Sequence, residues 1–248
     1  MEIWYSIPGF DQPMSSISHL SGAIIFALLS YYLLQPVWHD RSKFRHLAVF
    51  AASAVILLSL SSTFHMFAPN GIARSVMLRL DVAAIFLLIA GSFTPAHGIL
   101  FQGWKRWGVL MPIWLTAITG ITLRSIFVDR IPNSVGILIF LAMGWFGVVS
   151  VYLLWKDYGR QIAFPFVVGG MIYTTGAISE LVRWPTIIPY VWGPHETFHY
   201  AVLGGLAFHW WAATLIAEGK LTRLGEKCQV SEGNADMRFS IAAENVAN

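Results

Sequence analysis

The stretch LAVFAASAVILLSLSSTFHMF, residues 47–67, carries no Asp, Glu, Lys or Arg along its whole length. Crossing a bilayer core of about 30 Å takes roughly 20 apolar residues in α-helical form. This stretch therefore predicts a transmembrane helix. Polar residues cluster at its carboxyl-terminal end, where two serines and a threonine precede His65.

Six further stretches have a similar length and apolar character: residues 19–37, 80–100, 107–123, 133–155, 161–182 and 195–217. The connections between them are short and polar, so consecutive helices should run antiparallel. The sequence predicts an all-α integral membrane protein, a seven-transmembrane-helix bundle. We expect residues 1–218 to form this single domain and the polar residues 219–248 to form a mobile tail.

The composition supports the same class of protein. Hydrophobic residues make up 56% of the chain and charged residues 12%, whereas soluble domains have about 25% charged residues. The net charge of +3 comes from 16 basic and 13 acidic residues, and the basic residues lie in the connections rather than in a nucleic-acid-binding patch. Cys228 is the only cysteine, so no disulfide forms within the chain.

Basic residues in the connections predict the orientation. Five of them fall on the amino-terminal side of the bundle and eleven on the opposite side. Because cytoplasmic connections carry the excess of Lys and Arg, we expect the amino terminus outside the cell (inner) membrane and the carboxyl terminus in the cytoplasm.

Ionisable residues inside a membrane are costly, and each is a functional candidate. His65 ends the second apolar stretch, Asp81 begins the third, and His195 and His199 begin the seventh. Because alternate helices reverse direction, the end of an even helix and the start of an odd helix share one side of the membrane. The topology therefore predicts that these residues converge.

The converging residues have the chemistry of a zinc site. His195 and His199 are four residues apart and share one helix face, and His65 would supply the third ligand of a site that keeps one position for water. Ser61 lies one turn before His65. Asp81 could accept a hydrogen bond from that water or orient a ligand imidazole.

Simpler interpretations exist for each residue. A histidine pair at a helix start can be interfacial, and a serine such as Ser61 often serves helix packing. Asp81 could form a salt bridge with Arg79 or Arg183. The convergence of three histidines and an aspartate at one depth favours the metal site.

The segment from His195 to His199 also matches the H-E-x-x-H pattern of zinc proteases, in which the glutamate is the general base. A pattern of five residues is weak support for peptide cleavage. Glu196 could equally cap the last helix or pair with Arg183, and Glu180 should pair with Arg183 three residues away.

The other histidines are predicted to lie away from the ion. His209 is about 15 Å beyond His199 along the helix, and His39 and His46 lie in the first connection on the opposite side. His97 is near the far end of its helix. His19 is on the side of the site and could support it.

The Ser61-x-x-x-His65 segment, DVAAIFLLIAGSFTP at 81–95, SISHLSG at 16–22 and RWP…WGPHETFHYAVLGGLAFH at 183–209 together resemble the hemolysin III / progestin and adipoQ receptor family. Bacterial members usually carry a glutamate shortly before the SISHLSG segment, where this chain has Asp11 and Gln12.

The resemblance implies a zinc ion bound by His65, His195 and His199, with Asp81 and Ser61 beside its water as the catalytic residues. The wider superfamily includes alkaline ceramidases, which implies hydrolysis of a lipid amide. Other members are described as adiponectin or steroid receptors, regulators of membrane fluidity or haemolysins. Adiponectin receptors place the amino terminus and the zinc in the cytoplasm, opposite to the orientation that the charges favour here.

These observations predict a zinc-dependent hydrolase that acts on a ceramide-like lipid in the bilayer. The alternative is a non-catalytic membrane-homeostasis sensor or receptor with structural zinc. A pore-forming haemolysin ranks third, because the sequence has no long amphipathic insertion segment. We expect a membrane lipid as partner and no nucleic acid, and small residues such as Gly204 and Gly205 permit a homo-oligomer.

Overall fold

A computed structural model describes residues 7–69, 71–127 and 130–221, which form eight α-helices. Their bounds are α1 Pro13–Leu34, α2 Arg41–Met66, α3 Ile72–Pro95, α4 Trp104–Ile126, α5 Asn133–Trp145, α6 Gly147–Tyr158, α7 Arg160–Val182 and α8 Pro194–Ala217. A 3-10 turn, Gln35–Val37, extends α1, and a π-helical turn, Ala96–Leu100, follows α3.

Seven segments of the described chain are long and apolar enough to cross a membrane, because α5 and α6 together make one span, Asn133–Tyr158. Each helix hydrogen-bonds its own backbone, as a spanning segment must where water is absent. Large apolar side chains on the outer faces, such as Ile24, Leu28 and Ile118, are exposed to the surroundings. The prediction of an all-α seven-helix bundle is confirmed.

The helices α1 to α4 pack in chain order, α5 packs against α3 and α7, and α8 closes the bundle by packing against both α7 and α1. Buried side chains of α1, α2 and α8 form one apolar cluster that includes Phe26, Phe50, Leu58, Leu206 and Trp210. This cluster fixes the three helices relative to one another. It therefore also fixes the ends of α2 and α8 that carry the predicted ligands.

Three predicted helix starts are wrong by six residues or more. The helix α1 begins at Pro13 rather than at 19. The helix α2 begins at Arg41 rather than at 47, because the Asp40 carboxylate caps it by accepting hydrogen bonds from the backbone N–H groups of Ser42 and Lys43, both at 3.0 Å. The helix α3 begins at Ile72 rather than at 80. Apolar runs locate only the part of a helix inside the hydrocarbon, whereas charged residues continue the helix into the interface. Asp81 consequently lies about two and a half turns inside α3.

The last described helix ends at Ala217. Most of the predicted tail, 219–248, lies outside the described residues, which end at 221. The domain division at 218 stays a prediction.

Candidate metal centre

Three histidines from two helices meet at one end of the bundle. His65 lies in the last turn of α2, and His195 and His199 lie in the first two turns of α8. One ring nitrogen of each lies within 4.8 Å of the other two. His65 and His199 are 1% and 2% exposed. The antiparallel topology and the four-residue spacing thus bring together the three predicted ligands.

Two of the three nitrogen–nitrogen distances in this histidine triad are close to those around a tetrahedral ion. His195 Nε2 lies 3.3 Å from His65 Nε2 and 3.1 Å from His199 Nε2. Nitrogens bound to zinc at about 2.0–2.1 Å in a tetrahedron lie about 3.3–3.4 Å apart. The donor set and its spacing therefore suit zinc.

The second ring nitrogens of two of these histidines face oxygen atoms. His65 Nδ1 hydrogen-bonds to the side-chain Oε1 of Gln12, and His195 Nδ1 lies 3.5 Å from Glu180 Oε2. An oxygen atom near Nδ1 favours the proton on that nitrogen, through a hydrogen bond for His65 and through a close carboxylate for His195. A neutral ring then presents the lone pair of Nε2 to the triad. Histidine ligands of metal sites use this arrangement.

The third histidine of the triad, His199, is held by ring packing. The His199 ring stacks on His19 of α1, with ring centroids 4.0 Å apart and an angle of 27° between the planes. His19 is 3% exposed. The sequence left a supporting role for His19 open, and the contact observed between His19 and the triad is made through the ring face.

Asp81 and Ser61 lie beside the triad. Both are buried, at 9% and 3% exposure, and the Ser61 side chain interacts with the Asp81 carboxyl group. Asp81 Oδ1 is shielded and has no hydrogen-bond partner among the described residues. A buried polar atom without a partner is rare and costly, which fits a carboxylate that faces a bound group.

Both carboxylate oxygens of Glu196 make hydrogen bonds that stabilise the fold. Its Oε1 accepts a hydrogen bond from the Ser15 hydroxyl at 2.9 Å, and its Oε2 accepts one from the Gly193 backbone N–H at 2.9 Å. The second bond caps α8. Of the alternatives left open by the sequence, the capping role is the one observed, and both oxygens of the H-E-x-x-H glutamate are engaged away from a protease-like role.

Ion pairs surround the triad. Arg183 Nη1 lies 3.4 Å from Glu180 Oε1, which confirms the pair expected from their spacing. Arg74 Nη1 lies 3.1 Å from Asp11 Oδ2 and also donates to the backbone oxygen of Phe67. These contacts fix the amino-terminal segment against the ends of α2 and α3.

A cavity of about 810 Å³ begins at the triad and continues through the bundle. Its polar end includes Ser61, Asp81, His195 and His199. Its walls are mainly apolar side chains from the helices α3, α5, α6 and α7: Ile85, Ile89, Phe93, Phe140, Val148 and Phe166. A site of this shape suits a ligand with a polar group and a long apolar part.

Sequence reasoning missed the two oxygen partners of the triad. Glu180 was predicted only as the partner of Arg183, and Gln12 only as the residue at a position where bacterial relatives carry a glutamate. The position of Glu180, an acid in the last turn of a predicted transmembrane helix, was a signal that it has a functional role. The contact of Gln12 depends on how the segment before α1 folds over α2, where its backbone N–H also donates to the backbone oxygen of His65 at 3.0 Å.

Comparison with known proteins covers most of the chain. A family model described as haemolysin-III related matches residues 11–210, a range that includes the triad, Ser61 and Asp81. The chain is similar to Hemolysin-3 of Bacillus cereus, 30% identical over 199 residues, covering 79% of this chain and 87% of that protein. It is also similar to the Hemolysin-3 homolog of Bacillus subtilis (strain 168), 29% identical over 154 residues, covering 62% and 69%.

A plant protein shares the similarity. Heptahelical transmembrane protein ADIPOR1 of Oryza sativa subsp. japonica is 28% identical over 195 residues, which cover 69% of this chain and 50% of that protein. The similarity therefore extends from bacterial proteins to a eukaryotic protein that is named as heptahelical.

Proposed function

The chain belongs to the haemolysin-III-related family, and we propose that this multi-pass membrane protein is a zinc-dependent hydrolase of lipid amide bonds. The observation that carries the proposal is the histidine triad, two of whose rings are buried, at the end of a large apolar cavity. Beside it lies an aspartate oxygen that has no hydrogen-bond partner in the described part of the chain. A ceramide-like lipid has the matching chemistry, because its amide is polar and its chains are apolar.

The residues His65, His195 and His199 would hold the ion. Zinc in such a site supplies a Lewis acid that polarises a carbonyl group and activates water near neutral pH. Glu180 and Gln12 keep two of the imidazoles in the tautomer that binds metal.

Asp81 takes and returns the proton in this proposal. Hydrolysis of an amide removes a proton from the attacking water and delivers one to the leaving amine, and a positioned carboxylate performs both transfers. Asp81 Oδ1, which has no hydrogen-bond partner among the residues that the structure describes, is available for this task. The Ser61 side chain orients the carboxyl group.

The apolar cavity walls exclude water and accept the lipid chains, so the substrate enters from the bilayer rather than from solution. We further propose that the protein lies in the cell membrane. The triad would face the outer side, because eleven of the 16 basic residues fall on the other side.

A second candidate, a membrane-homeostasis sensor or receptor, is favoured by one observation. The ligands come from both α2 and α8, so a bound ion would cross-link two helices and could be structural. The name of the bacterial relatives suggests haemolysis, which we rank third.

The deciding experiment compares wild type with Asp81→Asn in ceramide hydrolysis and in zinc content, both in lipid nanodiscs. The hydrolase proposal expects equal zinc content and at least about a 100-fold lower turnover in the variant. Zinc-loaded wild type that hydrolyses no amide in a broad lipid panel would favour the sensor instead.

A further inference from the structure

A histidine and a serine, His97 and Ser150, lie next to each other at the other end of the cavity. His97 is in the π-helical turn after α3, Ser150 is in α6, and both line the cavity. They are 0% and 5% exposed. His97 lies about 16 residues beyond Asp81, or about 24 Å along the helix axis, so this pair is separate from the triad.

The hydrogen bonds of His97 define which atom carries the proton. His97 Nδ1 lies 2.7 Å from the backbone oxygen of Lys105, which can only accept. The Nδ1 atom is therefore the donor, and the neutral ring has its lone pair on Nε2. Since Ser150 Oγ lies 2.8 Å from Nε2, the serine hydroxyl donates its proton towards the histidine.

Ser150 differs from the threonines of these helices that bond to their own backbone. Thr94, Thr116, Thr174 and Thr214 each donate to the backbone oxygen four residues earlier in their own helix. This local bond is the usual way for a membrane helix to satisfy a hydroxyl. The Ser150 hydroxyl instead bonds to an imidazole on another element.

Lys105 fixes the position of His97. Lys105 accepts from His97 through its backbone oxygen, and its Nζ forms an ion pair of 2.5 Å with Asp157 Oδ2 of α6. The arrangement contains a hydroxyl, a base within hydrogen-bond reach and a group that orients the base. These are the parts of an activated serine nucleophile.

We propose that Ser150 is a nucleophile, activated by His97, that forms a covalent adduct with acyl esters of lipids. The bond from Oγ to the carbonyl carbon forms while the hydroxyl proton passes to His97 Nε2. Collapse of the adduct breaks the bond to the alcohol, which takes that proton and leaves an acyl-serine. Water attacks the acyl-serine by the same path, releasing the carboxylic acid and restoring the hydroxyl.

The lipid class follows from the walls around the pair. Phe93, Val151 and Phe166 line this part of the cavity together with His97 and Ser150. Such walls accept an acyl chain, and a serine nucleophile requires a carbonyl or phosphoryl centre. The activity needs no metal, so it can be tested independently of the zinc-dependent function.

The test uses the full chain in lipid nanodiscs and a fluorophosphonate with a long alkyl chain. Attack by a serine oxygen on phosphorus releases fluoride and leaves a phosphonylated residue, which peptide mass spectrometry locates. Ser92 is an internal control, because it lines the same cavity while its hydroxyl donates to the backbone oxygen of Ile89 at 2.7 Å.

We expect an adduct on Ser150 that forms at least about 100 times faster than any adduct on Ser92, the factor that a general base supplies. Ser150→Ala should remove the adduct, His97→Gln should slow it by a similar factor, and chelation of metal should leave it unchanged. A folded wild type without an adduct on Ser150 overturns the proposal. Equal rates of adduct formation at Ser150 and Ser92 also overturn the proposal. This comparison uses wild type alone, so it does not depend on whether a variant folds.

Discussion

Glu180 Oε2 lies 3.5 Å from His195 Nδ1, so a buried carboxylate at the end of α7 faces the ring nitrogen opposite the one that joins the triad. The carboxylate favours the proton on Nδ1 and increases the basicity of Nε2 towards a metal. The metal affinity of the site should therefore depend on a residue that is not a ligand.

We predict that Glu180→Ala lowers zinc affinity about 10- to 100-fold, the usual cost of losing such a partner. Competition with a fluorescent chelator measures this affinity. Arg183→Ala is the matched control, because Arg183 contacts the other oxygen of Glu180 and its side chain is 70% exposed. Equal affinities of wild type and Glu180→Ala would show that this contact has no part in metal binding.

Gln12 provides a second test of the same principle on another ligand. Gln12→Ala removes the acceptor from His65 Nδ1 and should lower zinc affinity by a similar factor. Gln12→Glu keeps an oxygen in that position and should retain or exceed the affinity of wild type. The account of His65 fails if the two variants bind zinc equally well.

The two hydrogen bonds of Glu196 predict that replacing this residue lowers the stability of the protein and leaves its zinc content unchanged. Glu196→Ala removes the partner of the Ser15 hydroxyl and of the Gly193 N–H, which should lower the free energy of unfolding by about 1–3 kcal/mol. Thermal melting with Ser15→Ala and the double variant measures the coupling. A variant of normal stability that retains zinc but has no turnover would instead identify Glu196 as a catalytic base.

The orientation can be tested through Cys228, the only cysteine of the chain, which lies outside the described residues. With the carboxyl terminus in the cytoplasm, an impermeant maleimide should label it only after the cells are permeabilised. Ile72→Cys in a Cys228→Ser background is the control, because Ile72 is 86% exposed at the triad end of α3. Labelling of Cys228 in intact cells would show that the protein has the opposite orientation.

Much of the fold followed from the sequence because a bilayer restricts what an apolar segment can do. Seven apolar stretches gave seven spans, and their alternation placed His65 beside His195 and His199. The helix starts were less accurate, because Asp40 caps α2 and begins it at Arg41 among charged residues that the apolar pattern excluded.

The partners of the triad required tertiary structure. Glu180 reaches His195 through the packing of α7 on α8, and Gln12 reaches His65 through the segment before α1. The hydrogen bond between His97 and Ser150 joins elements 53 residues apart, with no motif around either residue to predict it.

The central claim is one zinc ion in the histidine triad, and elemental analysis of the purified protein tests it most directly. Wild type should contain about one zinc per chain, and His65→Ala and His199→Ala should each lose it, since a site with two protein ligands binds weakly. His209→Ala should keep it, because His209 lies in the same helix and cavity but outside the triad. Folded wild type without zinc, supplied with the metal in excess, would contradict the account.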